Sequence, residues 1–356
     1  MSTTLSSVTD FGTLNQIVDA TASIKQNIDQ LTTETSSGYL ATSYAGLGNV
    51  AAPALDLSEQ IAANTQLQTN TQTASTIQQA AQSALGQIES VASSFSTQAN
   101  QLQTLPGSAP TVAAAAQDAL QQVARLLDTQ VGGIYIFAGQ DSGTAPIPNP
   151  NDITQSAFGT AIQNAVAGLT TNGAAATTAA TLAIASPGGT TPFSATLEAA
   201  GAQSEVDVGN GVRVALAPLA NANSNAQSTG AGSTSTGSYT RDILMSLASL
   251  SGITTAQAES SAFPAFIQST VTTLNGAVSA INTDIGALGD RQDQITTAQT
   301  DLSDTNTTLQ TQLSNLQNAD LTTVAAQLSQ AQTQLQASYQ ILSSLGTLTL
   351  ARFLPA

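Results

Sequence analysis

The stretch VTTLNGAVSAINTDIGALGDRQDQITTAQTDLSDTNTTLQTQLSNLQ occupies residues 271–317. Within it Leu274, Ile281, Leu288, Ile295, Leu302, Leu309 and Leu316 fall seven apart without a miss, and Val271, Val278 and Ile285 add a second apolar position early on. A seven-residue apolar repeat keeps one stripe of a helix facing a partner helix, which is the pattern of a coiled-coil-like seam. At 1.5 Å per residue the seam spans roughly 64 Å, longer than a small domain is wide. The expectation is an elongated helical rod.

Beyond Leu316 the register slips. Leu321, Leu328, Leu335 and Leu342 form a second series out of phase with the first, with Leu345 beside it. Asn318-Ala319-Asp320 stands at the change, and Asn and Asp favour caps over helix interiors. Two helices are predicted, about 265–317 and 320–350. At the other end Leu14, Ile17, Ile24, Ile28 and Leu31 repeat at the same 3–4 spacing and stop before Ser36-Ser37-Gly38. A lone amphipathic helix of that length is marginal in water, so it requires a partner, and the C-terminal series is the natural one.

The apolar pattern resumes after Pro53 with Leu57, Ile61, Leu67, Ile77, Leu85, Ile88, Phe95 and Leu102, and a shorter helix is predicted from Pro110 to Thr129. Pro at its start and Gly132-Gly133 after its end fit helix boundaries. Ile134 to Phe137 reads as a short strand. Residues 141–238 are rich in Gly, Pro, Thr, Ser and Asn; Glu205–Val208 and Val212–Leu216 alternate as two strands around a Gly209-Asn210-Gly211 turn. The Ala/Thr tract 173–185 has no evident assignment. The predicted fold is mainly α: a long antiparallel coiled-coil-like helical rod from N- and C-terminal segments, with a small β-rich module inserted mid-chain.

Composition narrows the chemistry. The chain has no His and no Cys, so Ser-His-Asp triads, thiolates and the usual zinc or copper sites are excluded. A net charge of -16 repels nucleic acid and anionic lipid. Charged residues make up 8% and aromatics 4%, so solubility rests on neutral polar groups and large core side chains are scarce. This suits helices meeting along narrow seams. Met1 to Phe11 shows neither a basic n-region nor an apolar h-region, and no apolar run is long enough to span a bilayer. The glycine pairs at 46/48 and 209/211 lack the third glycine of a dinucleotide loop and read as turns. Asp301 and Asp304 read as solvated surface. Ser23 and Lys25, two apart on a helix, do not face each other. No catalytic residue, cofactor or metal site is predicted. Arg125 and Arg291, rare cations in an acidic chain, are candidates for an inter-helix ion pair.

The C-terminal segment resembles that of the bacterial flagellin family, which includes the hook–filament junction proteins of the hook-associated protein 3 type. The resemblance rests on Gly286 to Gln292, on Asn318-Ala-Asp-Leu321 and on Leu335-Gln-Ala-Ser338, in that order, together with an N-terminal apolar helix ending in Ser37-Gly38. It implies a structural subunit of the bacterial flagellum, exported unfolded by the type III route without a cleaved signal and therefore extracellular. Implied partners are copies of itself, hook-associated and filament proteins, and an export chaperone, with no nucleic acid and no membrane insertion. Carried over, residues 1–38 with 318–356 form the terminal assembly domain, 39–140 with 239–317 the rod or shell, and 141–238 the outer module. Gly133-Ile-Tyr-Ile-Phe-Ala-Gly139 and Leu348 to Leu354 are similar to the junction type. Ser43 to Gly48 departs from both types, and junction protein and filament flagellin both stay open. The assembly interface is expected at Leu14, Ile17, Ile24, Ile28, Leu31, Leu321, Leu328, Leu335, Leu342 and Leu345, and the rod seam at Leu274 through Leu316.

Overall fold

A computed structural model describes residues 4–209 and 211–351, with side chains described at 15–199, 201–209 and 211–344. The helices in chain order are α1 (Thr4–Ser37), α2 (Ala51–Leu102), α3 (Ala109–Leu127), α4 (Ala157–Ala167), α5 (Leu169–Ala185), α6 (Ala195–Ala200), α7 (Tyr239–Ser251), α8 (Thr255–Ala258), α9 (Phe263–Gln317) and α10 (Leu321–Ala351). Two hairpins supply the strands: β1 (Gln130–Val131) with β2 (Ile134–Tyr135), and β3 (Glu205–Asp207) with β4 (Arg213–Ala215).

The long helices are unusually polar, and many of their hydroxyls bond back to the helix itself. Thr65, Thr73, Thr283 and Thr296 each donate to the carbonyl four residues earlier, at 2.8 to 3.1 Å. A threonine that bonds back in this way does not compete for the helix N–H groups. Pro53 and Pro264 lie in the first turns of α2 and α9, where a missing N–H costs no hydrogen bond.

Contacts divide the chain into two compact units, Met1–Thr65 with Asp304–Ala356, and Gln66–Ser303. In the first unit α1 packs against α10. Leu31, Val324 and Ala331 are buried there, with Ile28, Leu328 and Ala319 against them. The chain breaks that end α1 and α9 lie side by side. Leu40 N–H donates to Gln317 O at 2.8 Å and Ala319 N–H to Gly38 O at 2.9 Å. Gly38 closes α1 at φ 76, a left-handed conformation that only glycine adopts freely. Asp320 then opens α10, its carboxylate accepting from the N–H of Thr322 at 3.0 Å and the hydroxyl of Thr323 at 2.8 Å. The break in apolar phase is thus a helix end and a new cap.

The second unit is a layered helical core. Ile77, Leu85, Ile88, Phe95 and Leu102 of α2 join Leu274, Ile281 and Leu288 of α9 in one buried cluster with α3, α4 and α7. Ser75 with Gln292, Ser96 with Asn275, and Gln103 with Gln268 hydrogen-bond at 2.7 to 3.1 Å, which fixes α2 antiparallel to α9. Every residue of α7 is buried.

The mid-chain segment differs in part from its expected β-rich character. The 205–215 hairpin forms at the expected place, with Val206 opposite Val214. Regular structure elsewhere in 141–238 is helical: α4, α5 and α6. Phe158, Ile162 and Val166 repeat four apart and bury one face of α4, capped by Ser156 accepting from Gly159 N–H at 3.1 Å. In α5 alanine supplies helix propensity, and Thr177 and Thr181 turn inward. Of the expected strand 134–137 only Ile134–Tyr135 pairs; Ile136 and Phe137 leave the ladder and are buried.

Candidate assembly surface

The α1–α10 pair gathers some of the expected interface residues and leaves others apart. Leu31 is buried, and Ile17, Ile24, Ile28, Leu328, Leu335 and Leu342 are half-buried. Leu321 is 49% exposed. Leu14 and Leu345 lie outside the described side chains. Val324 and Ala331, which the heptad count of leucines passed over, form the buried centre instead. Their signal is the 3–4 alternation 321, 324, 328, 331, 335, 338, 342, in which the leucines hold only every second place; Leu321 is exposed as the first residue of α10.

Large apolar side chains that remain exposed concentrate in the first unit. Among the described residues they are Val18, Tyr39, Leu40, Tyr44, Leu55, Leu321, Tyr339 and Ile341, each 40% to 53% exposed. The second unit, more than twice as long, leaves Leu105, Ile134 and Val212. The first unit carries two open grooves. One, of about 240 Å³, is lined by Tyr39, Tyr44, Leu47 and Gln317; another, of about 510 Å³, by Pro53, Leu57, Gln312 and Leu316.

Of the seam, Leu274, Ile281, Leu288 and Ile295 are buried in the second unit, while Leu302, Leu309 and Leu316 are half-buried. Among the described residues neither Arg125 nor Arg291 is paired with a carboxylate. Arg125 donates to the Asn151 side-chain oxygen at 3.0 Å, and Arg291 Nη1 is buried without a hydrogen-bond partner among the described residues. Among the described residues the ion pair belongs to Arg241 and Glu198. Arg241 also donates to Asn221 O and Ala185 O, and stacks 5.1 Å from the Phe193 ring centre. Burial lowers its pKa, and the Glu198 carboxylate opposes that shift. Partners 43 residues apart leave no trace in local spacing.

The buried carboxylates are saturated by donors. Asp284 accepts from Ser224 N–H, Asn225 N–H and the Asn225 side chain at 2.8 to 2.9 Å. Asp242 accepts from Ser235, Thr236 N–H and the Thr236 hydroxyl at 2.5 to 2.8 Å. Burial raises the Asp242 pKa, and these hydrogen bonds pull it back. Both carboxylates hold the 221–238 loop to the helices. Carboxylates so occupied serve as structural anchors.

Two family models match this chain: the bacterial flagellin N-terminal helical region over residues 13–142, and the bacterial flagellin C-terminal helical region over residues 271–354. The chain belongs to the bacterial flagellin family. As a flagellin relative it is a structural component of the flagellum, in a family that is structural rather than catalytic and forms part of the extracellular organelle. The fold is shared with a solved protein of Vibrio parahaemolyticus assigned to the flagellar hook-associated proteins. The two align with a TM-score of 0.52 at 12% identity, covering 75% of this chain and 97% of that one. No curated protein matches by sequence. Among the described residues of this family member no helix is long and apolar enough to cross a membrane.

Proposed function

We propose that this flagellin-family chain polymerises through its paired terminal helices and takes its place at the hook–filament junction. The observation that carries the polymerisation reading is the concentration of exposed apolar side chains and grooves on the α1–α10 unit. Two thin helices whose described side chains bury Leu31, Val324 and Ala331 gain too little from that pairing to offset the order imposed on them, and neighbouring copies would supply the missing burial. In this reading Ile17, Ile24, Ile28, Leu321, Leu335 and Leu342 meet other subunits, and the Leu274–Leu316 seam supports the monomer.

The junction assignment draws support from the Gly133–Gly139 element. Ile136, Phe137 and Ala138 are buried, and Gly139 has φ 67 with Ala202 O only 2.4 Å from where a Cβ would stand. The element is therefore built as a fixed turn of the core, and its similarity to the junction type extends over residues with a structural reason to persist. The hook-associated assignment of the Vibrio parahaemolyticus protein points the same way. A filament role is the competing reading, favoured by the matched models being those of flagellin itself.

The accompanying partners in this proposal are copies of the chain, hook-associated and filament proteins, and an export chaperone, with delivery by type III export. Deletion of residues 320–356 is expected to abolish swimming and incorporation into filaments; normal assembly would sink the polymerisation reading. Immunogold labelling separates the two locations. Label confined to the filament base supports the junction, and label along the filament assigns the chain to the filament.

A further inference from the structure

Between α5, α7 and α9 lies a cavity of about 10 Å³ whose lining includes Thr178, Thr181, Ser246, Ser249, Ser269 and Thr270. Three of these hydroxyls have already placed their hydrogens. Thr178 hydrogen-bonds Ser269 at 3.4 Å, Thr181 donates to Thr178 O at 3.0 Å, and Thr270 donates to Phe266 O at 3.0 Å. Their oxygens retain lone pairs that can accept. Ser246 differs from these three: it is 2% exposed, in the middle of the fully buried α7, and its Oγ has no hydrogen-bond partner among the described residues. A hydroxyl left dry costs about 1–3 kcal/mol, so a site that strands one amid unused acceptors calls for a bridging group.

We propose that this cavity is a binding site for a single structural water, which accepts from or donates to Ser246 and bridges α7 to the hydroxyls of α5 and α9. The chemistry selects water. The volume is about one water sphere, too small for an organic ligand, and the polar lining distinguishes it from the apolar voids that stay empty. None of the lining residues carries a charge, so an ion would have no counter-charge. The consequence is that the Ala/Thr tract is seated on the core through a wet seam of hydroxyls where other helices of this unit interdigitate Leu and Ile. That accounts for threonines on its inner face in a tract with almost no large side chain.

The test uses the full chain. A crystal structure at better than about 2 Å resolution is expected to show one ordered solvent peak within hydrogen-bond distance of Ser246 Oγ. Ser246→Ala is expected to lower the thermal midpoint of the second unit by about 1–3 °C, because the water loses a partner. A midpoint that rises instead would mean the hydroxyl had been stranded in a dry void, and would overturn the proposal. So would a structure in which Ser246 donates directly to a backbone carbonyl and the cavity holds no density.

Discussion

Both units are built from helices with seven-residue apolar repeats, yet one contains enough side chains to hold itself and the other does not. In the second unit α2 and α9 enclose α3, α4 and α7, and the buried cluster runs unbroken from Ile77 to Leu288. In the first, α1 and α10 meet through Leu31, Val324 and Ala331. Burying a Leu or Val contributes about 1.5–3 kcal/mol, and ordering each residue costs about 1–2 kcal/mol of backbone entropy. The difference teaches that a heptad stripe marks where a helix is covered without saying by what. One stripe is satisfied inside the chain; in the other, Ile17, Ile24, Ile28, Leu328, Leu335 and Leu342 stay half-buried.

The largest effect expected from this contrast is in the second unit. Ile281 is fully buried in the α2–α9 layer, so Ile281→Ala is expected to destabilise that unit by about 2–5 kcal/mol, read from denaturant unfolding of the monomer. A loss under 1 kcal/mol would show that the cluster is not the closed core described above. The counterpart in the first unit is Val324→Asp. Its expected signature is reversed: unfolding of the second unit changes by no more than about 0.5 kcal/mol, since the site lies in the other unit. The critical concentration for polymerisation rises at least about tenfold, equivalent to 1.4 kcal/mol per subunit. If polymerisation were unaffected, the α1–α10 pair would not be the assembly element.

Titration sharpens the comparison. Asp128 sits at the C-terminal end of α3, where its carboxylate accepts from Ile147 N–H at 2.8 Å, and burial pushes its pKa from 3.8 to about 6. A raised folded-state pKa means that the native protein holds a proton which the unfolded chain has released. This group's contribution is therefore greatest below about pH 4 and is lost as pH rises through about 6. Asp242, raised by burial, has the same sign. Asp128→Asn is expected to flatten the fall in second-unit stability between pH 4 and pH 6, measured by thermal midpoints across that range. A slope identical to the parent's would remove Asp128 from the account.

How much of this was legible beforehand depends on whether the signal was local. The α9–α10 break, the end of α1 at Ser37 and the 205–215 hairpin are encoded within a few residues: an Asp cap, a left-handed Gly, and alternation around a Gly-Asn-Gly turn. The buried helix α7 announced itself less clearly, because Arg241, Asp242, Ser246 and Ser249 interrupt its apolar surface. Those groups are buried by partners such as Glu198 and Thr236, which spacing along one helix does not reveal. Similarly, counting leucines found the phase of α10 but not Val324 and Ala331, because a thin two-helix seam selects small residues at its closest approach. The Ala/Thr tract was opaque for a related reason. Its burial is polar, and hydroxyls on an inner face look like a solvated surface until the partner helices are present.

The smallest effect concerns the first unit's own acid. Asp320 is fully exposed, and its hydrogen bonds from Thr323 and Thr322 hold its carboxyl below the ordinary carboxylate range. The sign is opposite to that of Asp128. A depressed folded-state pKa gives stability that is present above the unfolded value and lost as pH falls through the folded one. Asp320→Ala is therefore expected to fray the first turn of α10 slightly at pH 7, seen as faster amide exchange at Thr322 and Thr323, and to change nothing once the parent carboxylate is protonated. Asp320→Asn, which keeps an accepting oxygen, is expected to retain the cap and lose only its pH dependence. Acidification should then act on the two units in opposite directions, loosening the start of α10 while Asp128 and Asp242 of the second unit take up protons in place. Equal exchange rates at Thr322 in parent and Asp320→Ala at neutral pH would mean that the Gly38–Ala319 pairing alone sets where α10 begins.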